Sequence, residues 1–212
     1  MTYTSDPAFL VLHAVRLKGV AEGAAVARAS GLELQEVEQR LDLLAGRGQL
    51  EHREGRPAGW RLTQAGVEVH ARLVADELVA SGARAEVEEA YRQFLQLNPG
   101  LLAACTAWQL REVGDGVVVN DHTDAAYDAE VVERLVALHR RVLPVVGELA
   151  ARLARFCRYV PRLEEALDHV VGGEGEWFTR PSLDSYHSVW FELHQDLLDT
   201  LAIDRGAEAV TA

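Results

Sequence analysis

Between Ser30 and Gly66 the chain reads SGLELQEVEQRLDLLAGRGQLEHREGRPAGWRLTQAG, and this stretch permits few local structures. Leu34, Val37, Leu41 and Leu44 recur at spacings of three and four, so they define one buried helical face from Glu33 to about Ala45. Gly46 and Gly48 then stop the helix. Gln49 to Arg53 and Gly59 to Thr63 are spaced to pair as a hairpin with Glu54, Gly55, Arg56, Pro57 and Ala58 at its tip, and Trp60 and Leu62 alternate as strand residues do. Upstream, the alanine-rich segment Glu22 to Ala29 predicts a short helix that meets the next one across Ser30-Gly31.

Helix, turn, helix and hairpin in this order make a winged helix-turn-helix. The chain here resembles the winged-helix bacterial transcription regulators, and the MarR-like group most closely. The resemblance is carried by Val26-Ala27-Arg28-Ala29-Ser30-Gly31-Leu32, by Val37 to Leu50 ending in Arg47-Gly48-Gln49-Leu50, and by Trp60-Arg61-Leu62-Thr63-Gln64-Ala65-Gly66. It covers about the first third of the chain and implies a DNA-binding fold. MarR-like proteins usually dimerise through helices at both ends of a shorter chain, whereas here a long helical segment follows the wing.

The formal charge of −12 argues against a protein that simply coats nucleic acid. Residues 1 to 80 hold nine Lys/Arg and eleven Asp/Glu, and the remainder holds twelve and twenty-two, so the acidity lies in the second part. Arg47, Arg53, Arg56 and Arg61 outnumber Glu51 and Glu54 around the expected wing, where phosphate contacts are needed. On the helix before it, Gln35, Glu36, Gln39 and Asp42 point outward. Gln bonds bidentately to adenine and Glu accepts from cytosine, so Gln35, Glu36 and Gln39 are candidate base readers, with Arg40, Arg47, Arg53, Arg56 and Arg61 as further DNA contacts. Carboxylates at Glu33, Glu36, Glu38 and Asp42 around Arg40 favour a second reading, an acidic helix on a domain that meets a protein instead.

Asp6-Pro7 marks the start of a first helix that Gly19 ends, and 66–79 continues from the hairpin with Val69, Leu73 and Val74 on one side. Ser81-Gly82 is the expected boundary between a winged domain, 1–80, and a helical domain, 81–212. In the second domain the pattern predicts helices over 84–97 and 100–110 with a break at Asn98-Pro99, then an extended piece at 117–120. A long helix over 130–159 is kinked at Pro144, another runs from Pro161 to about Val171, and the last covers about 183–203. The fold class expected is mainly α, a winged helix-turn-helix with a small β-hairpin followed by an antiparallel helical bundle, with a frayed tail from Arg205. No apolar run reaches the length of a membrane span and the start lacks a secretion signal, so the cytoplasm is the expected location. Cys105 and Cys157, far apart and without metal-ligand spacing, are read as buried free thiols, with a disulfide as the alternative.

Trp108, Trp177, Phe178, Tyr186, Trp190 and Phe191 supply large apolar walls, and Asp121, His122, Arg180, His187 and His194 supply polar groups. That is the makeup of a small-molecule pocket, with an ordinary aromatic core as the alternative, and the Gly-rich stretch before Trp177 as lid or plain connector. His187 and His194 lie two turns apart, about 10–11 Å along the axis, too far to share one metal ion. Asp184 and His187 with Asp121 and His122 are a weaker metal constellation, and a metal-dependent enzyme is the least favoured reading. No catalytic or phosphate-loop motif is present, and no cofactor is expected. The expectation is a homodimeric, ligand-responsive transcription regulator that binds double-stranded DNA and a small-molecule effector. The alternative is a winged-helix interaction or small-molecule-binding module that has lost DNA binding.

Overall fold

The computed structural model describes residues 2–114 and 116–204. It is mainly helical and resolves into two compact units. One comprises the chain up to Val87, Leu149–Arg158 and the chain from His194 on; the other comprises Glu88–Glu148 and Tyr159–Leu193. The expected frayed tail from Arg205 lies outside the described residues. Among the described residues no helix is long and apolar enough to cross a membrane.

The first unit opens with α1 (Pro7–Lys18), capped by the Asp6 carboxylate, which accepts from the Ala8 N–H at 2.8 Å. α2 (Gly23–Ser30) ends at Gly31 in the left-handed conformation, and α3 (Leu34–Gly46) follows at once. β1 (Leu50–Arg53) and β2 (Gly59–Leu62) pair antiparallel with Leu50 opposite Leu62 and Arg53 opposite Gly59. α4 (Gln64–Ser81) starts from Thr63, whose hydroxyl accepts from Gly66 N–H at 3.1 Å.

Val11, Leu12 and Val15 of α1, Val26 and Ala29 of α2, Val37, Leu41 and Leu44 of α3, and Leu50 of β1 form one core, with Trp60 and Leu62 packed against it. Each buried Val or Leu side chain here contributes about 1.5–3 kcal/mol, so this core fixes the position of α3 and the hairpin together. Trp60 also exchanges two backbone hydrogen bonds with Ala21, of 2.8 and 3.1 Å. Gly59 permits that approach, since a Cβ there would lie 2.6 Å from the Ala21 carbonyl carbon.

Leu34 departs from expectation. It is 43% exposed rather than part of the buried face, because it occupies the first position of α3 and its side chain leans back past the core toward Gly23. Polar residues complete the unit instead, since the buried side of α4 carries His70 and Glu77 beside Val74 and Leu78.

Three expected boundaries in the rest of the chain are corrected. α5 (Arg84–Gln109) runs through Pro99 without ending. A buried row of Ala90, Tyr91, Phe94, Leu97, Leu101 and Ala104 on one continuous face outweighs the hydrogen bond that proline removes. Beyond it, β3 (Leu110–Val113) and β4 (Gly116–Val119) form a second antiparallel hairpin where only a short extended piece was expected.

α6 (Ala125–Arg152) contains Pro144 and stops seven residues before Tyr159, the expected end. Backbone pairing supplies the reason: Tyr3 N–H donates to the Arg152 carbonyl at 2.8 Å and Ala154 N–H donates to the Tyr3 carbonyl at 2.9 Å. Those bonds replace the next helical turn, and a 3₁₀ segment (Ala154–Arg158) leads into α7 (Tyr159–Val171); Cys157 in that segment is a free thiol that is exposed rather than buried as expected, while the free thiol of Cys105 is buried. Short α8 (Glu176–Thr179) and α9 (Tyr186–Leu201) complete the described structure.

Candidate functional site

Three regions concentrate polar side chains. The first is the face formed by α3 and the β1–β2 hairpin. Gln35 and Gln39 are exposed on α3, while Arg40 is tied to Glu36 at 2.8 Å. On the hairpin Arg61 is tied to its cross-strand partner Glu51 at 2.6 Å. Arg47, at the end of α3, and Arg53 and Arg56, toward the hairpin tip, are exposed and hold no ion pair among the described residues. These three guanidiniums are therefore open to an anion, whereas Arg40 and Arg61 first have to leave a carboxylate.

The second region was not anticipated from sequence. Arg155, fully buried in the 3₁₀ segment, donates to Glu77 of α4 at 2.6 Å, to Thr200 of α9 at 2.7 Å, and to Asp196 of α9. Arg158 reaches the same Asp196 at 3.3 Å. His13 Nε2 lies 3.1 Å from Asp196 Oδ1, and His13 Nδ1 lies 2.8 Å from His70 Nε2. Arg155 Nη1, a donor only, also lies 3.2 Å from His13 Nε2, so that ring nitrogen faces a guanidinium and a carboxylate at once.

Burial works against the charge on Asp196, but Arg155 and the hydrogen bond from His13 hold its carboxyl well below the usual range. Burial pushes His13 down and takes His70 to about 2. Closed to solvent, this network joins α1, α4, the 3₁₀ segment and the end of α9; it is a clamp rather than a binding site. His13 and Glu77 occupy core positions of α1 and α4, and that polar break in two apolar faces was the available sequence signal.

The third region is a cleft of about 1440 Å³ within the second unit. One wall is a face of α6, where Ala125, Ala129, Val132 and Val136 recur at helical spacing. Val170, Val171 and residues of the Gly172–Glu176 stretch and α8 form another wall. At the end made by Trp108, Asn120 and His122, the Asn120 amide donates to Asp128 Oδ1 at 2.8 Å and to the Trp108 carbonyl at 3.2 Å. The other Asp128 oxygen lies 3.0 Å from His122 Nδ1. His122 sits at φ 58, a conformation uncommon for a non-glycine residue, and its N–H donates to Asn120 Oδ1 at 3.3 Å. The Asn120 side-chain nitrogen also lies 3.3 Å from His122 Nδ1, so Asn120, His122 and Asp128 form one polar cluster at this end of the cleft. Trp108 stacks on Phe178 with ring centres 4.9 Å apart and rests against His122 at 4.5 Å.

Of the residues singled out in the sequence, Trp108, His122 and Arg180 line this cleft. The others are dispersed. The Asp121 carboxylate, exposed, accepts from Thr123 N–H at 3.1 Å and from its hydroxyl at 2.7 Å. Trp177 stacks on His169 at 4.0 Å, and that imidazole lies 2.8 Å from Glu174. Tyr186 is wholly buried with its hydroxyl 3.3 Å from His139, and Trp190 is buried with its indole N–H on Asn98 at 3.1 Å. His187 is half-buried, Phe191 is 46% exposed, and His194 is buried in the first unit. The aromatic cluster on α9 is thus mostly packing, and the cleft draws instead on Asn120, Asp128, Val132, Val136 and Arg140.

Among the described residues no group of three or more His, Cys, Asp or Glu side chains is placed to hold a metal ion. Asp184, counted in the weaker metal constellation, lies 3.3 Å from Arg162. Comparison of the chain with family models, with curated proteins and with solved structures gives no match.

Proposed function

We propose that the protein is a DNA-binding transcription regulator whose effector binds in the cleft of the second unit. In this reading α1, α2, α3 and the β1–β2 hairpin are a winged helix-turn-helix of MarR-like type, with α3 as recognition helix. The observation that carries it is the shared core beneath α3 and the hairpin, which presents Gln35 and Gln39 on the same unit as the open Arg47, Arg53 and Arg56. Arginines on the wing position the duplex through phosphates, and the glutamines read base edges in the major groove.

The second unit acts as a helical bundle that holds the effector and pairs two copies on a pseudo-palindromic site. α6 lines the cleft with its first half and ends in the first unit, so a ligand that shifts α6 bears on both. Release follows when the two recognition helices no longer match successive major grooves.

A specific observation favours a second reading. Glu33, Glu38 and Asp42 are exposed on or beside α3, together with the 60% exposed Leu43, a surface suited to a basic protein partner. Selection of bound fragments from sheared genomic DNA, at low and physiological salt, separates the two. Enrichment of one motif by the wild type, lost in an Arg53/Arg56/Arg61→Ala variant, supports the regulator; folded protein that enriches nothing, with and without candidate effectors, supports the interaction module.

A further inference from the structure

The cleft in the second unit has a chemical asymmetry. On a helical wheel Ala125, Ala129, Val132 and Val136 occupy the middle of the α6 face, with Asp128 on one flank and Glu133 and Arg140 on the other. The facing wall adds Val170 and Val171, so the floor is aliphatic. Among the described residues the one large aromatic ring in the lining, Trp108, is already engaged by Phe178 and His122, which leaves little free aromatic face for stacking a planar ligand.

The charges sort by partner. Asp128 is held by Asn120 and His122, and Glu176 is held by Arg180. Glu133 and Arg140 hold no ion pair or hydrogen bond among the described residues. Arg140 offers five donors in a planar fork that matches a carboxylate, and it stands twelve residues beyond Asp128, about 18 Å along the helix.

We propose that this cleft takes an elongated aliphatic carboxylate, its headgroup paired with Arg140 and its hydrocarbon laid along Val136 and Val132 toward Trp108. This rests on reading the cleft as an effector site, and it adds the ligand class. Three features jointly point there: the length of the α6 face, its aliphatic floor, and an unpaired guanidinium at one end. A cationic amphiphile directed to Glu133 is the competing occupant, and it is an arm of the test.

Isothermal titration of the full chain with octanoate, decanoate and dodecanoate, each below its micelle concentration, is run beside decanol, decyltrimethylammonium and benzoate. Arg140→Gln is titrated in parallel; Arg140 is exposed, so the substitution leaves folding intact, and thermal melting checks that it does. Affinity is expected to rise with chain length, by up to roughly fourfold per buried methylene. Benzoate and decyltrimethylammonium are expected to bind at least tenfold more weakly than decanoate. Arg140→Gln is expected to weaken decanoate about tenfold, in line with loss of a charge-assisted hydrogen bond, and decanol less than twofold.

No binding by any carboxylate, equal or tighter binding of decyltrimethylammonium or benzoate, or equal loss of decanoate and decanol in Arg140→Gln would overturn the assignment. A DNA-binding assay with the same ligands distinguishes the two levels. Chain-length and Arg140 dependence in a protein that binds no DNA would uphold the ligand class and remove the regulator reading. Specific DNA binding with no carboxylate bound would do the reverse.

Discussion

His13 meets Asp196 at 3.1 Å with both side chains wholly out of solvent, although 183 positions separate them in the chain. The pairing brings α1 and α9 together, and it makes folding depend on protons. His13 and His70 are both held below the ordinary histidine value, first by burial, so the folded protein keeps them neutral. An unfolded chain protonates them near pH 6.5.

Stability is therefore fully present above about pH 6.5 and falls as pH drops below it, because the unfolded state then binds protons that the folded state refuses. Asp196 adds to the loss at lower pH, since its folded value lies below its unfolded one. Urea unfolding between pH 7.5 and 4.5 should show this fall. His70→Gln keeps a donor for His13 and removes one titrating group, so its pH dependence should be shallower. An equal slope in the variant would contradict the neutral His13–His70 pair.

Arg155 connects Glu77, Asp196 and Thr200 from a site without solvent. Arg155→Met would remove the guanidinium shared by two buried carboxylates, leaving Asp196 to Arg158 and His13 and Glu77 to the Ser5 hydroxyl, and the expected loss is about 3–5 kcal/mol at neutral pH. Urea midpoints measure it. A loss under about 1 kcal/mol would mean that the network does not hold the unit together.

Two glycines of the first unit should respond in opposite directions. A Cβ on Gly66 would fall 2.0 Å from the Gln49 carbonyl oxygen, so Gly66→Ala has to push α4 away from the hairpin base, at a cost of about 1–3 kcal/mol or more. Gly46, at the end of α3, has no atom within 4 Å of such a Cβ, and Gly46→Ala should stabilise by up to about 1 kcal/mol. Thermal melting of both variants provides the comparison; equal effects would refute the packing described.

Gly175 has a similar part in the cleft. A Cβ there would lie 2.6 Å from Trp108 Cζ2, a rigid ring already stacked on Phe178. Gly175→Ala should alter the near-ultraviolet circular dichroism of the tryptophans and lower stability by about 1–3 kcal/mol. Gly147→Ala on α6 meets nothing within 4 Å and is the control. Superimposable spectra for Gly175→Ala and wild type would count against this geometry.

The first three helices and the first hairpin were legible because local rules agreed. Val37, Leu41 and Leu44 keep one period, Gly46 and Gly48 interrupt it, and Trp60 and Leu62 alternate around a turn containing Gly55 and Pro57. Leu34 was misplaced because a period does not reveal where neighbouring helices stop covering a face. α5 was cut at Pro99 because its long-range packing is invisible to a local rule, and α6 was extended because Tyr3 supplies the competing hydrogen bonds from the far end of the chain.

Polar sites were hardest to see. The clamp uses His13, Glu77, Arg155 and Asp196 from four distant segments, and no spacing links them. In the second unit α9 is rich in aromatic residues, yet its Tyr186 and Trp190 are buried packing. Asp128 and Arg140, which do line the cleft, look like surface charges on an amphipathic helix.

The central claim, that the hairpin arginines grip DNA phosphates while α3 reads bases, is tested most directly by the salt dependence of binding to an enriched fragment. For the wild type, log K should fall linearly with log salt. Arg53→Ala/Arg56→Ala should flatten that slope by about 2 and weaken all sequences alike, whereas Gln35→Ala or Gln39→Ala should change sequence preference and leave the slope intact. Wild-type binding that is independent of salt, or the same loss of slope from the glutamine variants, would contradict the account.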